Sequence, residues 1–378
     1  MNAKRTKMKR MVYEAVVVGG GAAGVGISIA LKDAGLENFI VLERSTVGSS
    51  FETWPAETRF ITPSFATNSV GMLDLNSVAI GTSPAYSLEV EHPTGAEYAA
   101  HLGQVARYGD LPIREMTNVL RITKPGDEFV IETEAETLRA RHVVWAAGEF
   151  QYPSLNGFKG SELCRHTATI DRYADLEGED FLIIGGFESG IDAAYHLASR
   201  DKRVHVFDRG CPWEDMSSDP SLSLSTFSIQ RMRESCFTAN VELHPNTQVT
   251  AATRAGLGYE LEAMNGRRFK SEVQPILAGG FEGSHKLVMH LFDQREDGYP
   301  ILSEHDESTR VPGLFLCGPS VRHDGHVFCF ILKFRMRFAV VAKAIATSLG
   351  LPATKLDEYR RWGMYLDDLS CCGGECAC

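Results

Sequence analysis

Residues 13–24 read Tyr13-Glu-Ala-Val-Val-Val-Gly-Gly-Gly-Ala-Ala-Gly24. The apolar run Ala15 to Val18 predicts a buried parallel strand, and Ala22-Ala23-Gly24 opens a segment with helical periodicity. The glycines at 19, 21 and 24 form GxGxxG at that junction. Gly19 permits the tight turn. Gly21 lets a pyrophosphate approach the backbone, and Gly24 lets the helix pack close to the strand. The backbone N–H groups around Ala22 and Ala23, at the positive end of the helix dipole, suit the phosphates.

The context supports a dinucleotide site. Ile27, Ile29, Ala30, Leu31 and Ala34 continue the helix, and Gly35 stands where it should stop. A second strand, Phe39 to Leu42, ends in Glu43, 19 residues beyond Gly24, where a carboxylate accepts hydrogen bonds from a ribose diol. The order returns near Asp180. A strand, Phe181 to Ile184, leads into Gly185-Gly186-Phe187-Glu188-Ser189-Gly190, with a helix expected from about Ile191 to Ser199. The strand Arg203 to Phe207 then ends in Asp208-Arg209. Two such units predict an α/β chain with two Rossmann-like dinucleotide-binding domains. Strand signals at 113–122, 129–133 and 138–142, split by the turn Lys124-Pro-Gly-Asp127, add a small antiparallel insertion. Val143 to Gly148 reads as a further buried strand, and Val327 to Leu349 as one long apolar helix with Lys333, Arg335 and Arg337 on its solvated side.

The chain has 378 residues and a net charge of −11, which argues against general nucleic-acid affinity. No apolar run is long enough to span a membrane. The basic N-terminus lacks the apolar core of a signal peptide, so a cytoplasmic protein with reduced thiols is expected. Nine cysteines are present, and Cys371, Cys372, Cys376 and Cys378 crowd the last eight residues. Near-adjacent thiols suit either a soft metal or metalloid ion, or electron transfer by a cysteine pair, Cys371 and Cys372.

From about residue 12 to 345, the chain resembles the two-dinucleotide-binding-domain flavoproteins. Among these it is similar to the flavin-containing and Baeyer–Villiger monooxygenases and to the bacillithiol-disulfide-reductase-like proteins. The likeness rests on Gly19 to Gly24 with Glu43, on 143–153 (VVWAAGEFQYP), on 183–192 (IIGGFESGID) and on 311–318 (VPGLFLCG). It implies FAD at Gly19, Gly21, Ala22, Ala23, Gly24, Glu43, Arg44, Ala147, Gly148 and Gly318, with Trp54 beside the flavin. It implies NAD(P)H at Gly185, Gly186, Ser189, Gly190, Asp208 and Arg209. Asp208 favours NADH and Arg209 favours NADPH, toward which the resemblance tips. It divides the chain into 1–160 and 306–350 for FAD, 161–305 for NAD(P)H and a Cys-rich tail at 351–378. A homodimer is expected on this ground alone.

Three departures stand out. Phe187 replaces the middle glycine of the second turn, and Pro319 follows Gly318 where an aspartate is common. Phe158, Gly160 and His166 match the monooxygenase fingerprint with two extra residues before the histidine. His323, Asp324 and His326 follow the last FAD strand and are candidate acid–base groups. The expected activity is NAD(P)H-to-FAD hydride transfer with oxygenation of a small molecule. The alternative is reduction of a disulfide, metal or metalloid using the tail.

Overall fold

The computed structural model describes residues 11–66, 72–217, 219 and 221–370. The first unit begins with β1 (Tyr13–Val18), α1 (Ala22–Asp33) and β2 (Phe39–Leu42). Ala15, Val16 and Val17 have no exposed surface, as fits a parallel strand covered on both faces. The helix ends as expected. Gly35 has φ +90°, and Leu36 N–H reaches back to the Leu31 carbonyl at 3.0 Å.

The short helices α2 (Ser49–Glu52) and α3 (Pro84–Leu88) precede α4 (Gly95–Tyr108). Thr94 caps α4 in a capping box. Its hydroxyl accepts from Glu97 N–H, and its own N–H donates to the Glu97 carboxylate at 2.7 Å. Next come β3 (Ile113–Arg114), β4 (Val119–Thr123), β5 (Phe129–Thr133) and β6 (Thr137–Trp145). β4, β5 and β6 form the antiparallel meander, while β3, β2, β1 and β6 are parallel neighbours. The segments 138–142 and 143–148, read separately above, form one strand through Trp145. Its burial alternates at first and then becomes continuous, because its last residues are covered on both faces.

The second unit contains β7 (Arg165–His166), β8 (Asp180–Ile184), α5 (Glu188–Ala198), β9 (Arg203–Phe207), α6 (Thr226–Met232), α7 (Ser235–Asn240) and β10 (Val241–His244). A three-stranded antiparallel sheet follows, β11 (Val249–Ala255), β12 (Gly258–Ala263) and β13 (Arg268–Ser271), then β14 (Ile276–Leu277). The parallel order is β10-β9-β8-β14-β7. Helix α5 starts at Glu188, earlier than expected, so the glycine turn runs directly into its first turn.

The chain then returns. β15 (Asp293–Gln294) and β16 (Pro300–Ile301) make a small hairpin, and β17 (Leu314–Leu316) pairs in parallel with the end of β6. β18 (Arg322–His323) and β19 (His326–Val327) form another hairpin before α8 (Ile331–Phe334) and α9 (Phe338–Ser348). The single long helix expected over 327–349 is therefore broken. Residues 335–337 form a 3-10 turn that points two arginines inward. Arg335 donates to the carbonyls of Asp74 and Ser77, and Arg337 pairs with the fully buried Asp306 at 2.9 Å. Lys333 donates to Asp219, so none of the three is simply a solvated side chain. Val288, Leu291 and Phe292 join the first core. The segment after 350 is not wholly a polar tail either. Ala353, Leu356, Tyr359 and Met364 are buried in the same core, with Tyr359 donating to Asp33 at 2.8 Å. The cysteines at 371–378 lie outside the described residues.

Two buried imidazoles make this fold acid-sensitive. His101 and His285 are each about 2% exposed, and each has a ring nitrogen without a hydrogen-bond partner. Burial pushes both pKa values down to about 4. For a depressed pKa, the stabilisation is complete above the unfolded value of about 6.5 and is lost as pH falls toward 4. Unfolding near pH 5 should take up close to two protons from these groups. His101→Gln should flatten the dependence of Tm on pH between 6.5 and 4, measured by calorimetry.

Candidate functional site

The first glycine turn leaves no room for side chains at two points. A Cβ on Gly24 would lie 1.8 Å from the Gly19 carbonyl oxygen, and one on Gly19 would lie 2.5 Å from the Ala146 carbonyl oxygen. Gly21 faces open space, with only Ser50 Oγ at 4.0 Å. Val25 N–H donates to the Gly21 carbonyl at 2.9 Å. The amides before Val25 are therefore the helix-terminal donors free of an intrahelical partner. Glu43 accepts from Gly20 N–H at 2.6 Å and from Ser45 N–H at 2.8 Å, which holds its carboxylate beside the turn. This combination fits the pyrophosphate and ribose of a dinucleotide.

The second turn repeats the arrangement. A Cβ on Gly190 would lie 1.9 Å from the Gly185 carbonyl oxygen. Asp208 accepts from Gly186 N–H at 2.7 Å and from Gly210 N–H at 2.8 Å. Phe187 has nearly the backbone of Gly21, φ −86° against −81°, so the substitution introduces no strain. Its ring is 37% exposed and stands where Gly21 leaves an opening. Trp213 packs over Gly186, 2.5 Å from where a Cβ would be. Arg209 is exposed beside the occupied Asp208 carboxylate.

A cavity of about 520 Å³ connects the two units. Gly19, Gly21 and Glu43 line one end, and Glu188 and Ser189 at the start of α5 line the other. Its wall includes Trp54 and Phe60, stacked 5.1 Å apart, and Phe150, 6.0 Å from Trp54. Glu149 and Glu188 both line it, and burial raises the pKa of each carboxyl. Ser228 Oγ and Ser225 N–H hold Glu188 in place.

A polar clamp crosses the same boundary. Thr58 of the first unit donates to Asp192 of α5 at 2.6 Å, and Arg231 of α6 donates to the other oxygen at 2.7 Å. Burial alone would raise the Asp192 pKa, but the hydrogen bond and charge of His196 and the charge of Arg231 lower it. Glu57 accepts from the amides of Tyr173 and Ala174, which adds a second tie.

The predicted residues are distributed unevenly. Gly19, Gly21, Ala22, Ala23, Glu43, Arg44, Trp54, Ala147, Gly148 and Ser189 line the cavity. Gly24, Gly185 and Gly190 instead make close backbone contacts, and Gly318, with φ +108°, packs near Ala23. His323, Asp324 and His326 do not line the cavity. His323 bonds Asp306 inside the Arg337 network, and Asp324 occupies the β18–β19 turn with φ +47°. His166 donates to the Gly280 carbonyl at 3.0 Å while accepting from Ala168 N–H, so both ring nitrogens are used structurally. Sequence reasoning missed Cys329, Phe150 and Glu188. Cys329 lines the cavity with Ser221 Oγ 3.1 Å from its sulfur, and burial raises its thiol pKa. Only the nearby Gly148 for Phe150 and the second glycine turn for Glu188 signalled their positions.

A family model described as pyridine nucleotide-disulphide oxidoreductase matches residues 16–318. The chain is 22% identical over 340 residues to bacilliredoxin reductase Bdr of Bacillus subtilis, covering 89% of this chain and 98% of that protein. The bacillithiol disulfide reductase structure from Bacillus cereus aligns with a TM-score of 0.73 at 19% identity, over 89% of this chain and 100% of its own. An ornithine N-hydroxylase structure from Kutzneria sp. 744 aligns with a TM-score of 0.70 at 14% identity, over 90% and 100%. No helix among the described residues is long and apolar enough to cross a membrane.

Asp192→Asn should destabilise the protein by about 3 kcal/mol, because it leaves the buried Arg231 without its counter-charge. Urea unfolding of the variant against the parent measures this.

Proposed function

The chain belongs to the pyridine nucleotide-disulphide oxidoreductase family, and from that premise we propose that it oxidises NADPH and delivers the electrons to a small disulfide. The supporting observation is the cavity lined by the first glycine turn and by Glu188, Ser189 and Asp192 at the start of α5. Gly21, Ala22 and Ala23 would hold the FAD pyrophosphate, and Glu43 its ribose. Bound flavin supplies the two-electron chemistry. Ser189 and Glu188 would face the hydride donor, and Arg209 would grip a 2′-phosphate. Trp54, Phe60 and Phe150 exclude water between the two ends.

The acceptor side rests on the thiols. Cys164, Cys211, Cys236, Cys317 and Cys329 are all free, so no disulfide forms among the described residues. Burial raises the Cys329 thiol pKa, which makes it a weak nucleophile at neutral pH. We assign exchange with the acceptor to the near-adjacent thiols Cys371 and Cys372. The alignment over nearly the whole of bacilliredoxin reductase Bdr supports this reading over oxygenation. The aromatic wall favours a second reading, oxygenation of a small molecule, because that chemistry needs a dry site. The hydrogen-bonded His166 lends that reading no support.

Steady-state assays separate the two. The holoenzyme should consume NADPH with a low-molecular-weight disulfide under anaerobic conditions and release two thiols per NADPH. Replacing Cys371 and Cys372 with serine should abolish this while FAD stays bound. NADPH consumption that instead requires oxygen and incorporates it into a substrate would establish oxygenation. Arg209→Ala should raise the KM for NADPH on the order of tenfold or more and leave that for NADH unchanged.

A further inference from the structure

Away from the cavity, three neighbouring strands of the second sheet gather four metal-capable side chains on one face. His205 on β9 is the register partner of Glu242 on β10, and His244 lies two residues further along β10. The strand repeat of two puts Glu242 and His244 on the same face. His205 Nδ1 lies 3.1 Å from His244 Nε2 and 3.3 Å from a Glu242 oxygen, and His244 Nε2 lies 3.6 Å from the other Glu242 oxygen.

The His205–His244 and His205–Glu242 separations match two edges of a small tetrahedron. Ligands about 2.0–2.1 Å from a zinc ion stand about 3.3 Å from each other. We propose that His205, Glu242 and His244 bind a divalent late first-row cation of the zinc type, with the fourth position open to water on the exposed Glu242 side. Two imidazoles and a carboxylate suit such ions better than magnesium or calcium.

A second observation comes from the neighbouring strand. Asp180 Oδ1 on β8 is buried and accepts no hydrogen bond. It faces the opposite nitrogen of His205, Nε2, at 3.4 Å. A metal-bound histidine commonly directs its remaining N–H at a carboxylate, which fixes the tautomer and turns the free lone pair toward the metal. Asp180 is so placed for His205, and its other oxygen is paired with Arg203 at 3.3 Å. His244 is held by packing. Its ring stacks on Phe207 at 4.6 Å and meets Phe269 at 5.1 Å. The ligands are therefore oriented by neighbours before any ion arrives, which lowers the ordering cost of binding.

The site adjoins the second nucleotide turn. Asp208 N–H donates to the His244 carbonyl at 3.2 Å, and Asp208 follows the last residue of β9. An ion across β9 and β10 would brace the strand ends that carry this acid.

The test uses the full chain with Cys371, Cys372, Cys376 and Cys378 replaced by serine, so that thiols do not compete. Titration with Co²⁺ should reach saturation at one equivalent. It should give visible bands of tetrahedral or five-coordinate N/O ligation without thiolate charge transfer, and Zn²⁺ should displace the cobalt. H205Q and E242Q should each weaken Co²⁺ binding at least about tenfold, and D180N should weaken it about tenfold by releasing the His205 ring. Their flavin content and Tm should match the parent, which separates ligand loss from misfolding. Absence of saturable binding at millimolar Co²⁺, or unchanged affinity in H205Q, would overturn the proposal.

Discussion

Two contacts between backbone and missing side chains organise the whole molecule. Gly24 lies against the Gly19 carbonyl and Gly190 against the Gly185 carbonyl, where any Cβ would approach within 2 Å. Each contact draws a helix start onto the end of a buried strand. Each turn is then tied to the next parallel strand by a carboxylate, Glu43 to Gly20 and Asp208 to Gly186. The unpartnered amides at the two helix starts follow from this closeness, the arrangement that suits an anion. The cavity between them is a consequence of placing two such units face to face.

Several polar ties hold the units face to face. Thr58, Asp192 and Arg231 form a continuous chain across the boundary, and Glu57 adds two backbone acceptances. A second buried polar group, Asp306 with Arg337 and His323, lies within the first unit and supports the returning chain. The sequence suggested catalysis for His323 because it follows the strand Leu314–Leu316 closely. The fold gives its ring a fully buried carboxylate instead.

Local patterns carried much of the architecture. The glycine turns, the strand runs and the stop at Gly35 are short-range signals, and these elements form near where their residues indicate. The first cradle was equally legible, since its residues are contiguous apart from Glu43. Long-range partners were not. Arg335 and Arg337 read as surface residues because a charged side chain is normally solvated. The carbonyls of Asp74 and Ser77 for Arg335, and the Asp306 carboxylate with the carbonyls of Glu304 and Leu366 for Arg337, make their burial tolerable. Likewise His205, Glu242 and His244 are unremarkable in the linear chain, and only the β9–β10 register brings them together. Residues 353–364 read as tail because their apolar members are sparse, yet Leu356, Tyr359 and Met364 reach the first core.

The Thr58–Asp192–Arg231 chain has a mechanical corollary. Swinging one unit as a rigid lever past the other would part Thr58 from Asp192 and Glu57 from the amides of Tyr173 and Ala174, exposing three donor–acceptor pairs to replacement by solvent. Each such exchange costs on the order of 1 kcal/mol. The joint therefore resists that rotation with a cost on the order of a few kcal/mol.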